Sequence, residues 1–216
     1  MTEMAMMAEA EVWAEIDRQR VDLADFLLDL TDEEWDTPSL CTGWRVRDVA
    51  AHLAMAHTGF GRFSVEMVRA GLRFNKTIHD TACRHAVVPT DELAAEIRAM
   101  AGSRRKAPGI TIYEPLLDVL VHGQDIAVPL GRERIMPTAA AATSATRIWT
   151  MRWPMSSSFR PRQRFQGVRL QATDTDWSVG EGELIEGPIQ SLLMTLARRP
   201  MRDGELSGPG LRASPR

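Results

Sequence analysis

The hydrophobic and polar positions in the first two-thirds of the chain follow a helical period. Between Glu9 and Leu30, apolar residues recur every three or four positions, which is the spacing of one helix face. This stripe consists of Val12, Ile16, Leu23, Phe26, Leu27 and Leu30. The same periodicity predicts further helices from about Trp44 to Phe60, from Thr90 to Met100, from Glu114 to Val128 and from Pro137 to Trp153.

Polar residues mark where some of these elements begin and end. The segment Thr31–Glu34 has the pattern of a capping box and predicts a short helical turn. Asp36–Gly43 contains proline and glycine and is expected to form a loop. Gly59, Gly61 and Gly71 weaken the later part of the second helix.

The pattern changes after Pro154. Residues Pro154–Arg164 are rich in Ser, Arg and Pro, which is typical of a linker. Apolar residues then alternate with polar ones, which predicts a strand, and Trp177–Val179 starts a second. The alternating apolar positions are Val168, Leu170 and Ala172. Gly187 precedes a helix that continues to Leu196, and Ser207–Arg216 is expected to fray.

These elements predict a mainly α protein with two domains. The first, residues 1–153, is a helical bundle, and the second, residues 165–212, is a small α+β domain. The composition agrees, because 44% hydrophobic and 25% charged residues are usual for a globular chain of 216 residues.

Charge and hydropathy exclude several functional classes. The net charge is −3 and the chain has no basic stripe, which argues against nucleic-acid binding. No segment approaches the roughly 18 apolar residues that a membrane helix needs, and the acidic start is unlike a secretory signal. Cys41 and Cys83 are too few for a disulfide framework and fit no zinc knuckle, so we expect a reducing cytoplasm.

A polar stripe runs along the helix predicted between Glu114 and Val128. Asp118 and His122 are four positions apart, so both side chains point from one face, about one turn apart. Asp125 follows three positions after His122. Apolar residues flank the stripe on both sides, so we expect it to be buried or to line a cleft.

A carboxylate and an imidazole one turn apart can hold a divalent metal when another helix supplies a third ligand. His52, within the apolar run Val49–Ala54, is the best candidate, because a lone imidazole there needs a polar partner. Two nitrogens, one oxygen and a free position would form a catalytic type of zinc site. The alternative is a hydrogen-bonded core histidine at His52 and a simple ion pair between Asp118 and His122.

The remaining histidines and Cys41 are not expected to take part in the metal site. His57 lies about 140° round the helix from His52 and is not expected to share its site. His79 and His85 fall in a stretch with few helix signals and are expected to be exposed. Cys41 is a conceivable nucleophile, but nothing around it in the sequence suggests an activated thiol, so a packed or loop cysteine is the preferred interpretation.

Tryptophans are expected to anchor the core. This applies to Trp35, Trp44 and Trp177, and Trp44 is also a candidate for the edge of a pocket.

Several segments of the chain carry family motifs. Residues 35–53 read WDTPSLCTGWRVRDVAAHL, residues 118–126 read DVLVHGQDI and precede Pro129-Leu130-Gly131, and residues 172–180 and 205–208 read ATDTDWSVG and ELSG. Together they resemble the mycothiol-dependent maleylpyruvate isomerase family, within the DinB-like superfamily of metal-binding four-helix bundles. The similarity is spread over most of the chain.

The resemblance implies a DinB-like four-helix bundle with a divalent metal, usually zinc, at its core. It assigns His52 and His122 as ligands and places Asp118 where the family commonly has a glutamate. It also implies a catalytic arginine, which is best matched by Arg199, with Arg198 as the alternative. Asp125 is expected to orient a ligand.

The implied function is a mycothiol-dependent S-transferase or maleylpyruvate isomerase-like enzyme. Its partners would be the small-molecule thiol, as cosubstrate, and an electrophilic substrate that the metal-stabilised thiolate attacks. The alternatives are a metal-dependent hydrolase and a non-catalytic metal-binding or regulatory module on the same fold. The oligomeric state is left open, with a homodimer among the options.

Overall fold

A computed structural model describes residues 6–57, 74–106, 109–152, 156, 158–200 and 204–212. The chain divides into two compact units. One, the helical unit, is Glu9–Arg134, and the other, the α/β unit, is formed by Met1–Ala8 together with Ile135–Arg216.

The helical unit contains the elements predicted from the helical period and one more. The described helices are α1 (Glu9–Leu28), α2 (Asp32–Trp35), α3 (Val46–Ala54), α4 (Phe74–His85), α5 (Thr90–Ala99) and α6 (Tyr113–Ala127). The capping box before α2 is confirmed, since Thr31 and Glu34 exchange both hydrogen bonds. Helix α3 was predicted to continue to about Phe60, but it ends at Ala54 with Met55 as its C-cap, and residues 55–57 form a turn. Gly59, Gly61 and Gly71 lie outside the described residues.

Four helices of this unit, α1, α3, α5 and α6, pack against one another as a bundle. Helix α1 contacts α5 and α6, α3 contacts the same two helices, and α4 packs on α3. Each of the four contributes to one apolar core, whose members include Leu23, Leu27, Val49, Leu53, Leu93, Ile97, Val119 and Ile126. Because α3 and α6 contact each other, chemical groups on their facing sides can meet.

Helix α4 was not predicted, and its histidines were expected in an irregular segment. The buried face of α4 is carried by Thr77 and Ala82, which are small or polar and give no apolar stripe for a period to detect. Lys76 and Asp80 form an ion pair one turn apart that supports the helix. His85, expected to be exposed, has only 19% of its side chain accessible and pairs with Glu96 of α5.

The α/β unit combines helices with a small sheet. Its elements are α7 (Thr138–Thr150), α8 (Pro161–Arg164), β1 (Val168–Ala172), β2 (Ser178–Gly180), β3 (Glu183–Gly187), α9 (Ile189–Leu196) and a 3₁₀ turn at Pro209–Arg212. The strand order is β2-β1-β3, with β2 antiparallel and β3 parallel to β1. The alternation predicted for β1 is confirmed, because Val168, Leu170 and Ala172 are buried and Arg169 is exposed. The mainly α fold class with a small sheet is therefore confirmed.

Three features of this unit differ from prediction. Strand β3 was missed because it carries Glu183 and Glu186 among few apolar residues. The segment expected to be a linker holds α8, although part of it, residues 154, 155 and 157, lies outside the described residues. Ser207, expected to fray, exchanges two backbone hydrogen bonds with Glu186, of 2.8 and 2.9 Å.

The predicted domain limits, 1–153 and 165–212, assign α7 to the helical domain, whereas the compact units group it with the sheet. Those limits stay a prediction. No described helix of the chain has an apolar stretch long enough to cross a membrane.

Candidate metal centre

Helix α3 presents His52 from its last turn. The helix begins after Arg45, whose backbone N–H donates to Asp48 Oδ2 at 2.8 Å and so satisfies one of the amides left open at a helix start. Val49 and Leu53 on either side of His52 are buried in the core. The imidazole is only partly covered and faces α6.

Helix α6 presents the polar stripe that the sequence predicted. Its flanking residues, from Leu116 to Ile126, are largely buried, while exposure of the polar side chains falls along the stripe. The Asp118 side chain is 37% exposed, that of His122 14% and that of Asp125 0%. The stripe therefore leads from an accessible carboxylate to a fully buried one.

The structure brings His52, Asp118 and His122 together. His52 Nε2 lies 3.6 Å from Asp118 Oδ2, and His122 Nε2 lies 3.3 Å from Asp118 Oδ1. The two imidazole rings meet edge to face with centroids 4.9 Å apart. One donor atom from each residue lies within 4.8 Å of the others.

These separations fit a shared cation. Ligands 2.0–2.2 Å from a tetrahedral zinc ion lie roughly 3.3–3.6 Å from one another. A direct hydrogen bond between an imidazole and a carboxylate is shorter, as the 2.8 Å between His122 Nδ1 and Asp125 Oδ2 illustrates. The donor set of two imidazoles and one carboxylate is also one that zinc accepts with a fourth position open.

The charges of the cluster are strongly coupled. Burial raises the pKa of Asp118, but the positive charges of His52 and His122 outweigh it, and the net pKa lies well below the usual range. Burial lowers the pKa of His122, but the Asp118 carboxylate outweighs it and the net pKa lies well above the usual 6.5. The carboxylate thus holds positive charge at this point of the bundle.

The alternative interpretation accounts for only part of this geometry. An ion pair between Asp118 and His122 explains their contact. A buried core histidine does not describe His52, because its side chain is 21% exposed and faces the same carboxylate.

Asp125 lies behind His122 and fixes its orientation. Its Oδ2 accepts a hydrogen bond from His122 Nδ1 at 2.8 Å. With the proton on Nδ1, the lone pair of the neutral ring is on Nε2, the nitrogen that faces Asp118 and His52.

The loop before α3 closes the site and contributes two further side chains. Trp44 packs its ring 5.3 Å from His52 and 6.3 Å from His122, measured between centroids. Cys41 places Sγ 3.1 Å from Asp125 Oδ2 and 3.6 Å from His122 Nδ1. Cys41 does lie in a loop, but its thiol contacts the histidine cluster, which the sequence did not indicate.

Backbone hydrogen bonds hold this loop in place. Trp44 N donates to Cys41 O at 2.9 Å, Ser39 N donates to Trp44 O at 2.9 Å, and Leu40 N donates to Asp125 O at 3.1 Å. Gly43 has a φ of +81°, in the left-handed region that glycine adopts without strain.

The other histidines hold no donor position in this cluster. His79 lies beside Trp44, with ring centroids 6.1 Å apart, and His57 Nε2 is 3.4 Å from Arg20 Nη2. Within the described part of the chain, neither these two nor His85 belongs to a group with metal-binding geometry.

Arg20 is a buried cation that the sequence analysis missed. It occupies the apolar stripe of α1 between Ile16 and Leu23, which was a detectable signal. Its guanidinium donates to Met100 O at 2.8 Å. Burial lowers its pKa, and the charges of Asp17 and Asp118 counteract that shift.

Arg199 follows α9 in the α/β unit, where its Nη1 donates to Ala197 O at 2.8 Å. Arg198 before it has a φ of +67°. The catalytic role expected for Arg199 stays a prediction.

Comparisons with known proteins fit this architecture. The chain resembles a crystal structure of the mycothiol-dependent maleylpyruvate isomerase with a TM-score of 0.62 and 13% identity, over 94% of this chain and 93% of that one. A second, of a histidine-to-alanine mutant of the mycothiol-dependent maleylpyruvate isomerase, gives 0.63 and 10% over the same shares. At such identity the likeness shows the fold. A search of curated proteins found no match.

The class of protein that the fold defines is a helical bundle with a small sheet, of the kind seen in those isomerase structures. The family follows from residues 16–107, which match the model of the mycothiol maleylpyruvate isomerase N-terminal domain. Residues 35–53 lie inside this matched segment, and the resemblance that they carry is confirmed.

Proposed function

We propose that this protein is a metal-dependent enzyme that uses a low-molecular-weight thiol of the mycothiol class to act on an electrophilic substrate. The observation that carries the proposal is the convergence of His52, Asp118 and His122 at separations that suit one cation. Zinc is the expected metal, because two imidazoles and a carboxylate are ligands it accepts.

Each of the residues has a separate role. The Nε2 atoms of His52 and His122 and the carboxylate of Asp118 would hold the ion. Asp125 keeps a proton on His122 Nδ1 and so directs Nε2 toward the ion. Trp44 covers one side of the imidazoles with an apolar ring and keeps water from that side.

The partial exposure of Asp118 leaves room for a ligand on the open side of the cluster. When bound, the ion would stabilise the cosubstrate as a thiolate, the nucleophilic form of a thiol. The thiolate sulfur would form a bond to an electrophilic carbon of the second substrate. The electron pair displaced from that carbon would depart with a leaving group or, in a conjugated alkene, move from the C=C bond onto the conjugated carbonyl oxygen as an enolate. If the thioether is released, the enzyme is an S-transferase. If the substrate is a conjugated cis alkene, bond rotation in the adduct and loss of the same thiolate give the trans alkene.

The match to the mycothiol maleylpyruvate isomerase N-terminal domain motivates the choice of thiol, and the state of the cysteines is compatible with it. Neither Cys41 nor Cys83 forms a disulfide. Free thiols are the rule in a reducing compartment, where a thiol cosubstrate also persists, so we propose a cytoplasmic enzyme.

Two measurements test the proposal. Purified protein should hold about one zinc ion per chain by elemental analysis, and it should accelerate the conjugation of mycothiol with a model electrophile or the isomerisation of a conjugated cis-alkene acid. The His52→Ala variant should lose both properties, whereas His85→Ala, the same change outside the cluster, should keep both.

Other results would select the alternatives. Zinc without thiol binding or turnover would favour a metal-stabilised regulatory module. Zinc with hydrolysis of an ester or amide would favour a hydrolase that uses bound water. Protein that takes up no divalent metal would exclude all of these.

A further inference from the structure

We propose that Cys41 is a positioning residue for His122, acting through Asp125. The inference rests on the proposed metal site and adds a thiol that neither the comparisons nor the sequence placed there. It concerns the side of His122 that faces away from the ion.

Two donors converge on one oxygen of a buried carboxylate. Asp125 Oδ2 accepts from His122 Nδ1 at 2.8 Å and from Cys41 Sγ at 3.1 Å. The Asp125 side chain is fully buried, so water does not compete for this oxygen. A buried carboxylate is costly unless several donors satisfy it, and the thiol is one of the groups that does so.

The thiol acts here as a hydrogen-bond donor. A thiolate at 3.1 Å from a carboxylate oxygen would place two negative charges in contact inside the protein, which is unfavourable. The Cys41 thiol therefore donates a hydrogen bond to Asp125 Oδ2. The 3.6 Å between Cys41 Sγ and His122 Nδ1 completes a compact triangle of the three groups.

The backbone makes this triangle rigid. Leu40, next to Cys41, donates its N–H to the carbonyl of Asp125 at 3.1 Å, so the loop is tied to α6 at the same residue that the thiol contacts. Cys41 N donates to Ser39 Oγ at 3.1 Å, and Cys41 O accepts from Trp44 N at 2.9 Å. The position of Sγ is thus set by the loop.

The consequence is control over the His122 ring. Each donor on Asp125 Oδ2 opposes rotation of the carboxylate about its Cβ–Cγ bond, so the Cys41 thiol adds to the constraint on its orientation. Asp125 held in this way keeps the proton on His122 Nδ1 and the ring plane constant, which preorganises Nε2 for the ion. Substituting a residue that supports a metal-binding histidine typically lowers metal affinity about 10-fold to 100-fold.

The test compares three variants in zinc titrations against a chromophoric chelator. Cys41→Ala removes the donor and should weaken zinc binding about tenfold. Cys41→Ser restores a donor of similar size and should bind close to the wild-type level. Cys83→Ala, the same change at the other free cysteine, should bind as the wild type does. Wild-type affinity in Cys41→Ala would overturn the inference.

A spectroscopic readout separates positioning from general stability. In cobalt-substituted protein, the visible absorption bands should shift in Cys41→Ala and return in Cys41→Ser, because they report the geometry around the ion. Bands unchanged in Cys41→Ala would contradict the inference even if that variant were less stable.

A metal-independent measurement keeps the failure of this inference distinct from failure of the proposed function. The Cys83→Ala protein has one remaining thiol, so its infrared S–H stretching band belongs to Cys41. A donated hydrogen bond lowers that frequency, and adding Asp125→Ala should raise it. A band at the free-thiol frequency, or one that Asp125→Ala leaves in place, would overturn the inference whether or not zinc binds.

Discussion

Two histidine–carboxylate arrangements in the helical unit use the same residue types in different surroundings. On α4 and α5, His85 Nε2 lies 2.6 Å from Glu96 Oε2, and within the described residues this pair belongs to no larger metal-binding group. On α3 and α6, His122 Nε2 lies 3.3 Å from Asp118, with His52 on the same carboxylate and Asp125 behind the ring.

The difference shows what distinguishes a candidate site from a surface ion pair. In the first arrangement the carboxylate and the imidazole satisfy each other at hydrogen-bond distance. In the second, the donors are held too far apart to do so fully, and a second carboxylate occupies the back of the ring. The separation of the donors and the second carboxylate behind the ring, rather than the residue types, distinguish the cluster proposed to bind a cation.

The largest expected effect is the loss of a direct ligand. His52→Ala should reduce zinc affinity by more than the roughly 100-fold that a supporting residue can account for. His85→Ala should leave the affinity unchanged, since His85 has its own partner in Glu96. Competition titration measures both variants. Equal losses in the two would show that the effect arises from altered folding and not from the site.

A smaller effect is expected when the carboxylate behind the ring is neutralised. Asp125→Asn keeps the shape but no longer favours a proton on His122 Nδ1, so zinc affinity should fall about 10-fold to 100-fold. Glu96→Gln makes the matching change beside His85 and should have no effect on zinc. A tight-binding Asp125→Asn protein would remove Asp125 from the supporting role.

The proposed metal ligands could be predicted from the sequence, whereas the contact of Cys41 with Asp125 could not. Asp118, His122 and Asp125 share one helix, so their spacing reveals a common face, and His52 is conspicuous as a polar residue in an apolar run. Cys41 is 84 positions from Asp125, and their contact exists only after the loop packs on α6. No local pattern encodes that.

The fold shows the same division between local and tertiary information. Helices α1 and α6 carry regular apolar stripes and were predicted within a few residues of their ends. Helix α4 was not predicted, because Thr77 and Ala82 occupy buried positions on it and only neighbouring elements explain that burial. Strand β3 was not predicted either, because its apolar residues, Leu184 and Ile185, are adjacent and do not alternate with polar ones.

The charge coupling predicts how the metal-free protein responds to pH. The folded-state pKa of His122 lies above the ordinary 6.5, so its contribution to stability is complete below about pH 6.5 and is lost as the pH rises through the folded-state pKa. Between these two values the free energy of unfolding should fall by up to about 1.4 kcal/mol per pH unit. Urea unfolding in the presence of a chelator measures this slope.

Substitutions test whether the pH dependence of the free energy of unfolding arises from His122. His122→Gln should remove the fall in stability above pH 6.5, while His85→Gln should retain it. A slope that survives in His122→Gln would mean that another group titrates. Asp118, whose pKa is lowered, has the opposite dependence: its contribution is present above about pH 3.8 and is lost as the pH falls through its folded-state pKa.

The smallest expected effect concerns the ion pair between His85 and Glu96. The Glu96 side chain is 42% exposed, and pairs of this kind contribute about 0.2–1 kcal/mol. A double-mutant cycle with His85→Ala and Glu96→Gln in metal-free protein should give a coupling free energy in that range, and raised salt should reduce it. A coupling of several kcal/mol would show that this pair is as strongly constrained as the cluster around His122. The contrast in surroundings would then no longer explain why one arrangement is a candidate metal centre and the other is not.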